Sequence, residues 1–329
     1  MKKRITAVFL TVILAVALLS GCKQNVGSPE DNAVVDDQDK EGNDAETTEH
    51  VLGFSCSDLS NPFYIVLREA VQSSLEEDGV RLIVRDAESD VDTQIQQVDE
   101  LIEEGVEGVF LCPADWEKIT PALEALNEAG VPVINLDTEV KETDLVKAFV
   151  GSDNRNAGFV CGEDLVSRMP EGGRIVIVEN SGINSINERI TGFEEAILNG
   201  GFEVVQRIDA GGERIEDVMR TLLDEEQIDA IMCGNDVMAL KVLEVLKQSE
   251  KKDILVYSVD GSPDTKSALL DPDSPMAGIG AQSPITMGKT AAKTAVAILN
   301  RDRYEKETYV DTFFINRENV EMYGTDGWQ

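Results

Sequence analysis

Short apolar runs along the chain are each followed by polar side chains that could bind a ligand. Asp137 follows one such run, Asn235 follows another, and Asp260 follows a third. Carboxylate and amide groups exchange hydrogen bonds with hydroxyl groups, and a pair of carboxylates could also hydrolyse a glycosidic bond. The polar segments to consider together are residues 57–61, 137–138, 180–189, 235–236 and 260–261, with Gln282 after the last run.

The composition excludes several other kinds of chemistry. His50 is the single histidine and lies in a polar segment, which argues against a histidine-based triad or a multi-histidine metal site. The chain has 29 Lys and Arg against 63 Asp and Glu, for a formal net charge of -34, and such a surface repels nucleic acid. No P-loop lysine motif, GxSxG or HExxH occurs in the sequence. We therefore expect no nucleic-acid partner, no metal and no cofactor.

The hydrophobic periodicity predicts an α/β fold that brings the polar segments together. From residue 51 onward, short apolar runs alternate with amphipathic helical stretches, and a second series begins near residue 152. Parallel sheets covered by helices on both faces have this pattern. Such sheets bind ligands at the carboxyl ends of their strands, where the polar segments lie. The sequence predicts two doubly wound parallel-sheet domains with a ligand held between them.

The N-terminus resembles a bacterial export and lipidation sequence. A basic start at residues 2–4 precedes an apolar run over residues 5–19, which is short for a membrane span. The run ends in Leu-Ser-Gly before Cys22, which resembles the lipobox of bacterial lipoproteins. This resemblance implies a signal peptide over residues 1–21 and a lipidated Cys22 that tethers the chain to a membrane without spanning it. A plain signal peptide and an uncleaved anchor are the alternatives.

The segment after Cys22 is acidic and lacks an apolar period. Residues 23–49 contain nine acidic residues and two lysines, and such a segment cannot bury enough apolar surface to fold. We expect residues 22–49 to comprise the lipidated cysteine and a disordered spacer that holds the folded body away from the membrane. An acidic tail that binds a partner is the alternative.

The other cysteines are Cys56, Cys112, Cys161 and Cys233. No CxxC pair occurs among them, which argues against a zinc site or a redox motif. Buried free thiols are the favoured state, because cysteine is a common small residue in protein cores. Export would also permit disulfides, and a Cys56–Cys112 bridge between neighbouring strands stays open.

Six motifs occur in a fixed order along the body of the chain. The motifs are Ser57-Asp58-Leu59-Ser60-Asn61-Pro62-Phe63-Tyr64, Asn135-Leu136-Asp137, Glu188-Arg189 before Gly192-Phe193, Gly234-Asn235-Asp236 before Met238-Ala239-Leu240, Val259-Asp260-Gly261-Ser262-Pro263-Asp264, and Gln282. Together they resemble the type I periplasmic binding proteins, close to the ribose-binding branch, over about residues 51–316.

The resemblance implies a division of the body into two lobes. Residues 51–152 plus 283–311 would form the N-terminal lobe, and residues 153–282 plus 312–329 would form the C-terminal lobe. The lobes would be joined by a three-strand hinge and close on a small molecule. The family delivers such ligands to an ABC importer, so the resemblance implies an ABC permease as partner and a monomeric binding protein that is not an enzyme.

The resemblance also implies a role for individual residues of this chain. Polar positions would hydrogen-bond the hydroxyls of a monosaccharide or related polyol, and aromatic positions would face the sugar ring. Thr138 lies beside one of these positions and completes the predicted set. The predicted ligand-binding residues are Ser57, Asn61, Phe63, Tyr64, Asp137, Thr138, Arg189, Asn235, Asp260 and Gln282.

Two positions depart from the ribose-binding pattern. Thr138 stands where the ribose-like proteins carry arginine, and Gly212 stands where they carry an aromatic residue. The loss of a guanidinium and of a ring face argues for a ligand other than ribose itself. Trp116 could replace the missing ring from the rim of the first lobe, although packing against a loop is its favoured role.

These features together predict a protein at the outer face of the cytoplasmic membrane of a bacterium. The leading hypothesis is a lipid-anchored solute-binding protein for a sugar-class ABC importer. The alternative is a sensor that presents a sugar or sugar-like signal to a membrane receptor, and the sequence does not separate the two. A glycosidase built on Asp137 and Asp260 is disfavoured, and so is a sugar-responsive repressor, because an export signal and an acidic spacer precede the body.

Overall fold

A computed structural model describes residues 50–249, 251 and 253–329 of the chain. The predicted signal peptide, the predicted lipidation at Cys22 and the predicted spacer lie outside the described residues. Over the part of the chain that is described, no helix is both long enough and apolar enough to cross a membrane.

Strands and α-helices alternate along most of the described body, as the hydrophobic periodicity predicts; the connections between residues 136 and 148 and between residues 310 and 313 hold no α-helix. The strands are β1 (Val51–Cys56), β2 (Arg81–Asp86), β3 (Val109–Leu111), β4 (Val133–Leu136), β5 (Ala148–Ser152), β6 (Gly173–Glu179), β7 (Phe202–Asp209), β8 (Ala230–Cys233), β9 (Leu255–Asp260), β10 (Met276–Ala281), β11 (Glu307–Val310) and β12 (Phe313–Asn316). The helices are α1 (Pro62–Glu77), α2 (Val91–Glu103), α3 (Thr120–Glu128), α4 (Asn154–Arg168), α5 (Asn184–Ile197), α6 (Ile215–Glu225), α7 (Asp236–Lys247), α8 (Pro263–Leu270), α9 (Pro284–Asn300) and α10 (Val320–Tyr323).

The strands form two separate six-stranded sheets. The first has the order β11-β5-β4-β3-β1-β2 and is parallel throughout. The second has the order β12-β10-β9-β8-β6-β7 and is parallel except at its β10–β12 edge. The predicted fold class, two doubly wound lobes with largely parallel sheets, is confirmed. The chain passes between the sheets three times: after β5, after β10, and between β11 and β12.

Local sequence explains where the helices near the sheet edges begin. The side chain of Asn61 caps α1 by accepting a hydrogen bond from the backbone N–H of Phe63, and Pro62 occupies the first turn. Asn235 caps α7 in the same way through the backbone N–H of Met238. Both caps therefore place an amide side chain at the carboxyl end of a sheet.

Helix α5 begins earlier than the periodicity predicts. The apolar spacing indicates a helix over residues 190–198, whereas the helix observed is Asn184–Ile197. Its first turns carry mostly polar residues, and Ser185 and Arg189 are nevertheless buried. A pattern based on apolar residues cannot detect a helical face that is buried through polar contacts.

Helices α4 and α5 pack unusually close together. A Cβ placed on Gly158 would lie 1.7 Å from the carbonyl oxygen of Arg189, and one on Gly192 would lie 1.9 Å from the carbonyl oxygen of Arg155. Only glycine permits this approach of the two backbones. The contact fixes the position of α5, and hence of Arg189, against the start of α4.

The four described cysteines are buried free thiols. Cys56 ends β1, and Cys112 follows its neighbour β3, so the predicted proximity of these two cysteines is present without a bridge. Burial raises the pKa of the Cys56 thiol to about 12. A thiol in this state is a core residue rather than a nucleophile or a metal ligand.

Candidate functional site

Two aspartates at the carboxyl ends of the two sheets have strained backbone conformations. Asp137 follows β4 with φ of 61°, and Asp260 ends β9 with φ of 136°. The left-handed conformation of Asp137 is tolerated by Asp, whereas the φ of Asp260 is normal only for glycine and costs roughly 1–3 kcal/mol. Strain of this kind persists where surrounding contacts hold a side chain in place for function.

A chain of polar contacts joins these two aspartates across the lobes. The hydroxyl of Tyr64 donates to Oδ2 of Asp137 at 3.0 Å. Nη2 of Arg189 lies 3.8 Å from Oδ1 of Asp137, and Nη1 of Arg189 donates to Oδ1 of Asp260 at 3.2 Å. The amide of Gln282 completes the chain by donating to Oδ1 of Asp260 at 2.6 Å. The structure thus brings together five of the residues that the sequence predicts to bind a ligand.

Other contacts hold the guanidinium of Arg189 in the second lobe. Nε donates to Oδ1 of Asn154 at 2.8 Å, and Nη1 donates to the carbonyl oxygen of Gly234 at 2.9 Å. Arg189 is only 3% exposed. The hydrogen bonds to Asn154, Gly234 and Asp260 therefore fix a side chain that is buried. A buried guanidinium with fixed donors suits recognition of hydroxyl oxygens by direction as well as by charge.

Burial raises the pKa of the two carboxyl groups in this series of polar contacts, those of Asp137 and Asp260. The pKa of Asp260 is raised to about 8, mainly by burial and further by the negative charges of Asp236 and Asp137, while Arg189 and Gln282 act in the opposite direction. The pKa of Asp137 is also raised by burial, against the lowering effect of Arg189. One guanidinium therefore does not fully stabilise two buried carboxylates.

Two neighbouring cavities with shared lining residues lie between the lobes at this point. The inner one has a volume of about 20 Å³, roughly the space of one water molecule. The outer one measures about 290 Å³ and shares Asn61, Tyr64 and Asn235 with the inner one. Residues lining the inner cavity are Asn61, Phe63, Tyr64, Asp137, Ile183, Ser185, Ile186, Arg189, Asn235 and Asp260. An inner cavity of this size has no room for a sugar, so the lobes must separate for a sugar to reach its carboxylates.

The two capping amides retain donors that can reach a ligand. The caps use the Oδ1 atoms of Asn61 and Asn235. The NH₂ group is therefore the part of each side chain that can donate to a ligand hydroxyl. Ser57 lines the outer cavity beside Asn61. These residues, together with the polar contacts that run from Tyr64 to Gln282, present donors and acceptors from both lobes to the two cavities.

The aromatic residues of the predicted site lie at one wall of the inner cavity. The rings of Phe63 and Tyr64 meet edge to face with centroids 5.5 Å apart. Trp328, near the C-terminus, packs edge-on against Phe63 with centroids 5.8 Å apart. The sequence-based prediction missed Trp328, because its distance along the chain from the motifs gives no sign that it reaches the first lobe.

Thr138 makes a direct hydrogen bond between the lobes. Its Oγ1 lies 2.7 Å from Oγ of Ser185, and both side chains are buried. A second direct link joins the backbone N–H of Trp116 to the carbonyl oxygen of Gly182 at 2.9 Å. The sequence places Ser185 in the polar segment 180–189 but not in the predicted ligand-binding set, because it lies before the apolar period of α5 begins. The lobes are therefore held closed by contacts of the protein itself.

Gly212 and Asp236 have positions that clarify their roles. A Cβ on Gly212 would meet nothing within 4 Å, so no neighbouring group requires glycine there.

Asp236 is buried, and its carboxylate accepts hydrogen bonds from the backbone N–H groups of Gly261 and Ser262 and from the hydroxyl of Thr265. Asp236 thus fixes the loop after Asp260 rather than facing the cavities.

The described residues contain no cluster of three or more histidine, cysteine or acidic side chains that could hold a metal ion. The polar groups between the lobes are instead hydrogen-bond donors and acceptors around a small space. Such an arrangement can bind a compact molecule that carries several hydroxyl groups.

Comparison with known proteins gives a family match over most of the chain. A family model described as "Periplasmic binding protein domain" matches residues 52–303. The chain is 31% identical over 271 residues to the ribose import binding protein RbsB of Bacillus subtilis (strain 168), and the match covers 81% of this chain and 87% of that protein.

Two solved structures are similar in fold and in sequence. A solute-binding protein of an ABC transporter from Bacillus halodurans C-125, with bound myo-inositol, matches with a TM-score of 0.78 and 26% identity, over 85% of this chain and 98% of that one. Another from Mycobacterium smegmatis, with bound glycerol, matches with a TM-score of 0.77 and 26% identity, over 83% of this chain and 96% of that one.

Proposed function

The chain belongs to the periplasmic binding protein family, in its type I, ribose-binding-like branch, and we propose that it is the solute-binding protein of an ABC importer. In this proposal it captures a monosaccharide or related polyol between its two lobes and delivers it to the permease. The similar proteins described above are a ribose import binding protein and solute-binding proteins with bound myo-inositol or glycerol. All three ligands carry hydroxyl groups on a compact carbon skeleton.

The observation that carries the proposal is the polar chain from Tyr64 through Asp137, Arg189 and Asp260 to Gln282. It joins groups from both lobes at the carboxyl ends of both sheets, with Phe63 packed beside it. Opening the lobes would break the long Asp137–Arg189 contact and expose donors and acceptors on both sides. A ligand with hydroxyl groups would replace these contacts on closure, and hinge closure of this kind couples binding to recognition by a partner.

We propose the lobe boundaries and the site residues in the form that the sequence predicts. The N-terminal lobe would comprise residues 51–152 plus 283–311, and the C-terminal lobe residues 153–282 plus 312–329. The membership of β11 in the first sheet and of β12 in the second supports a crossing near Asp311. The ligand-binding set would gain Ser185 from the second lobe, because it lines the inner cavity and bonds to Thr138.

We also propose that the protein works outside the cytoplasm, anchored by a lipid. A signal peptide over residues 1–21, lipidation at Cys22 and a spacer up to residue 49 would place the folded body at the outer face of the cytoplasmic membrane. The family supports an extracytoplasmic location. Substitution of Cys22 by alanine tests the anchor, because the variant should leave the membrane fraction and appear in the soluble extracellular or periplasmic fraction.

Uptake of labelled sugars tests the importer role. Cells that lack the gene would be compared with cells that express the native protein, the Asp260→Asn variant or the control variant Asp302→Asn, which alters an exposed carboxylate outside the cavities. We expect uptake of at least one sugar or polyol to require the native protein or the control and to fail with Asp260→Asn. Uptake that is equal with and without the gene would contradict the importer role, and growth responses without uptake would favour sensing.

A further inference from the structure

The inner cavity between the lobes has an excess of negative charge. Three of its lining residues are charged, and they are Asp137, Asp260 and Arg189. All three are about 3% exposed. When both carboxyls are ionised, two carboxylates and one guanidinium leave one negative charge without a fixed partner, and such a buried charge is costly unless a proton or a ligand cation pairs with it.

One oxygen of the Asp137 carboxyl group lacks a hydrogen-bond donor. Oδ1 of Asp137 is buried and accepts no hydrogen bond within the described part of the chain. The guanidinium of Arg189 approaches this atom only to 3.8 Å, because its donors are directed to Asn154, Gly234 and Asp260. The other oxygen of Asp137 accepts from Tyr64, so half of the carboxylate is left for a further donor.

The groups around Asp137 do not supply a second cation. The side chain next to it, Thr138, is neutral, and its Oγ1 lies 2.7 Å from Oγ of Ser185 and 3.4 Å from Oδ2 of Asp137. On the far side, a cavity of about 130 Å³ is lined by Asp137 together with Glu139, Asp153 and Glu188. The cationic side chain that lines this cavity, Arg155, forms ion pairs with Glu188 at 3.7 Å and with Glu195.

The groups behind Asp260 include a further carboxylate, and the buried cation on this side, Lys266, donates its hydrogen bonds to Gly327 and Gln329 rather than to an aspartate. Asp236 is buried close to Asp260 and takes its hydrogen bonds from Ser258, Thr265 and two backbone N–H groups, none of which carries a charge. Each lobe thus contributes one carboxyl group to the inner cavity, and Lys241 lines only the outer one. When both carboxyls are ionised, a compact cation would be attracted to the inner cavity.

We propose that the ligand carries a protonated amino group, as an amino sugar or an aminopolyol does, and that this ammonium binds Oδ1 of Asp137. The inference rests on the proposed function and narrows its ligand class. An ammonium offers three donors and a full positive charge, which match an unpaired carboxylate oxygen in a negative cavity. The hydroxyls of the same ligand would occupy the amide and guanidinium donors.

The ionisation of the two aspartates supports this assignment. The pKa of Asp260 is raised to about 8, and that of Asp137 is raised above its ordinary value, in both cases mainly by burial. Both carboxyls therefore bind a proton more readily than they would in water, which means that the site favours one more positive charge. A ligand ammonium would provide that charge together with directed hydrogen bonds.

Calorimetric titration of the purified protein with matched pairs of compounds tests the inference. Each pair consists of a neutral compound and its aminodeoxy counterpart: D-ribose, D-glucose, D-galactose, D-allose and myo-inositol against the corresponding amines, with N-acetyl-D-glucosamine as an uncharged derivative of similar bulk. A charge-assisted hydrogen bond to a buried carboxylate predicts that at least one amine binds roughly 10- to 100-fold more tightly than its neutral parent. Acetylation of that amine should abolish the gain.

Two variants separate charge from shape. Asp137→Asn keeps the shape and removes the charge, so it should reduce the preference for the amine to less than about threefold. Thr138→Arg adds the missing cation beside Asp137 and should shift the preference to the neutral parent. The control variant Asp302→Asn alters an exposed carboxylate that lines neither cavity. It should leave the affinities for the amine and for its neutral parent unchanged. The acetylated compound tests the same point with the native protein if a variant fails to fold.

The outcomes distinguish this inference from the proposed function. If a neutral sugar or polyol binds as tightly as its amine or more tightly, the inference is wrong while sugar binding stands. An amine preference that survives in Asp137→Asn would also contradict it. If no member of any pair binds, the proposed function fails and the inference fails with it.

Discussion

Replacement of Gly158 by alanine should disturb the candidate site through the contact between α4 and α5. A Cβ at this position would lie 1.7 Å from the carbonyl oxygen of Arg189 and 2.6 Å from its carbonyl carbon. These are backbone atoms, so no side-chain rotation can relieve the clash. The helices must separate by roughly 1.5 Å to restore ordinary van der Waals contact.

The expected cost combines two opposing terms. Forced separation of a packed core costs about 3 kcal/mol at the upper end of the usual range for overpacking. Alanine gains about 1 kcal/mol over glycine inside a helix, so the free energy of unfolding should fall by about 2 kcal/mol. For a folded body of this size, that corresponds to a decrease in Tm of about 3 °C.

Ligand affinity should fall in the same variant. Displacement of the Arg189 backbone moves its guanidinium away from Asp260, which it now contacts at 3.2 Å. Loss of one charge-assisted hydrogen bond weakens binding by roughly tenfold or more. Chemical denaturation measures the first effect, and calorimetric titration with the tightest-binding sugar measures the second.

Gly212→Ala is the matched control, because the added methyl group meets no atom within 4 Å. Its stability should change by less than about 0.5 kcal/mol. Two results for Gly158→Ala would refute the reasoning. Native stability would mean that α4 and α5 are not in close contact. Reduced stability with native affinity would mean that this contact does not position Arg189.

Three further predictions follow from the site and its surroundings. The pKa of Asp260, raised to about 8 in the folded protein, means that unfolding releases a proton between about pH 4 and pH 8. The free energy of unfolding should therefore fall as the pH rises through this range, by up to about 1.4 kcal/mol per pH unit, and denaturation of Asp260→Asn at several pH values should show a flatter slope. Removal of the Thr138–Ser185 hydrogen bond by Thr138→Val should weaken ligand binding by about fivefold, because it destabilises the closed state by about 1 kcal/mol, and a double-mutant cycle with Ser185→Ala should show non-additive losses of affinity. Asp236→Ala should lower the free energy of unfolding by about 3 kcal/mol, since it leaves the buried donors of Thr265 and the neighbouring loop without an acceptor; a change below about 1 kcal/mol in urea denaturation would contradict that role.

The sequence predicts the fold well because burial follows a simple pattern here. Strands such as β1 and β8 are short apolar runs bounded by turns, and both lie where the runs indicate. The caps at Asn61 and Asn235 are also readable, since an Asn before the first helical turn is a strong local preference. Local chemistry and sheet burial thus suffice for the architecture.

The site is only partly readable from the sequence, because it depends on contacts between distant segments. The start of α5 at Asn184 and the buried Ser185 give no apolar periodicity. Trp328 reaches Phe63 only through the path of the C-terminal tail. The strained backbone of Asp260 and the unpaired oxygen of Asp137 are properties of three-dimensional surroundings that no motif encodes.

The most direct test of the central claim is thermal unfolding of the purified protein against a panel of sugars, polyols and their amino derivatives. A ligand at 100 times its Kd adds about 2.7 kcal/mol to the free energy of unfolding. We predict a clear increase in Tm with at least one member of the panel, its loss in Asp260→Asn and its retention in Asp302→Asn. An unchanged Tm with every member of the panel would contradict the claim that this protein binds a sugar-class molecule between its lobes.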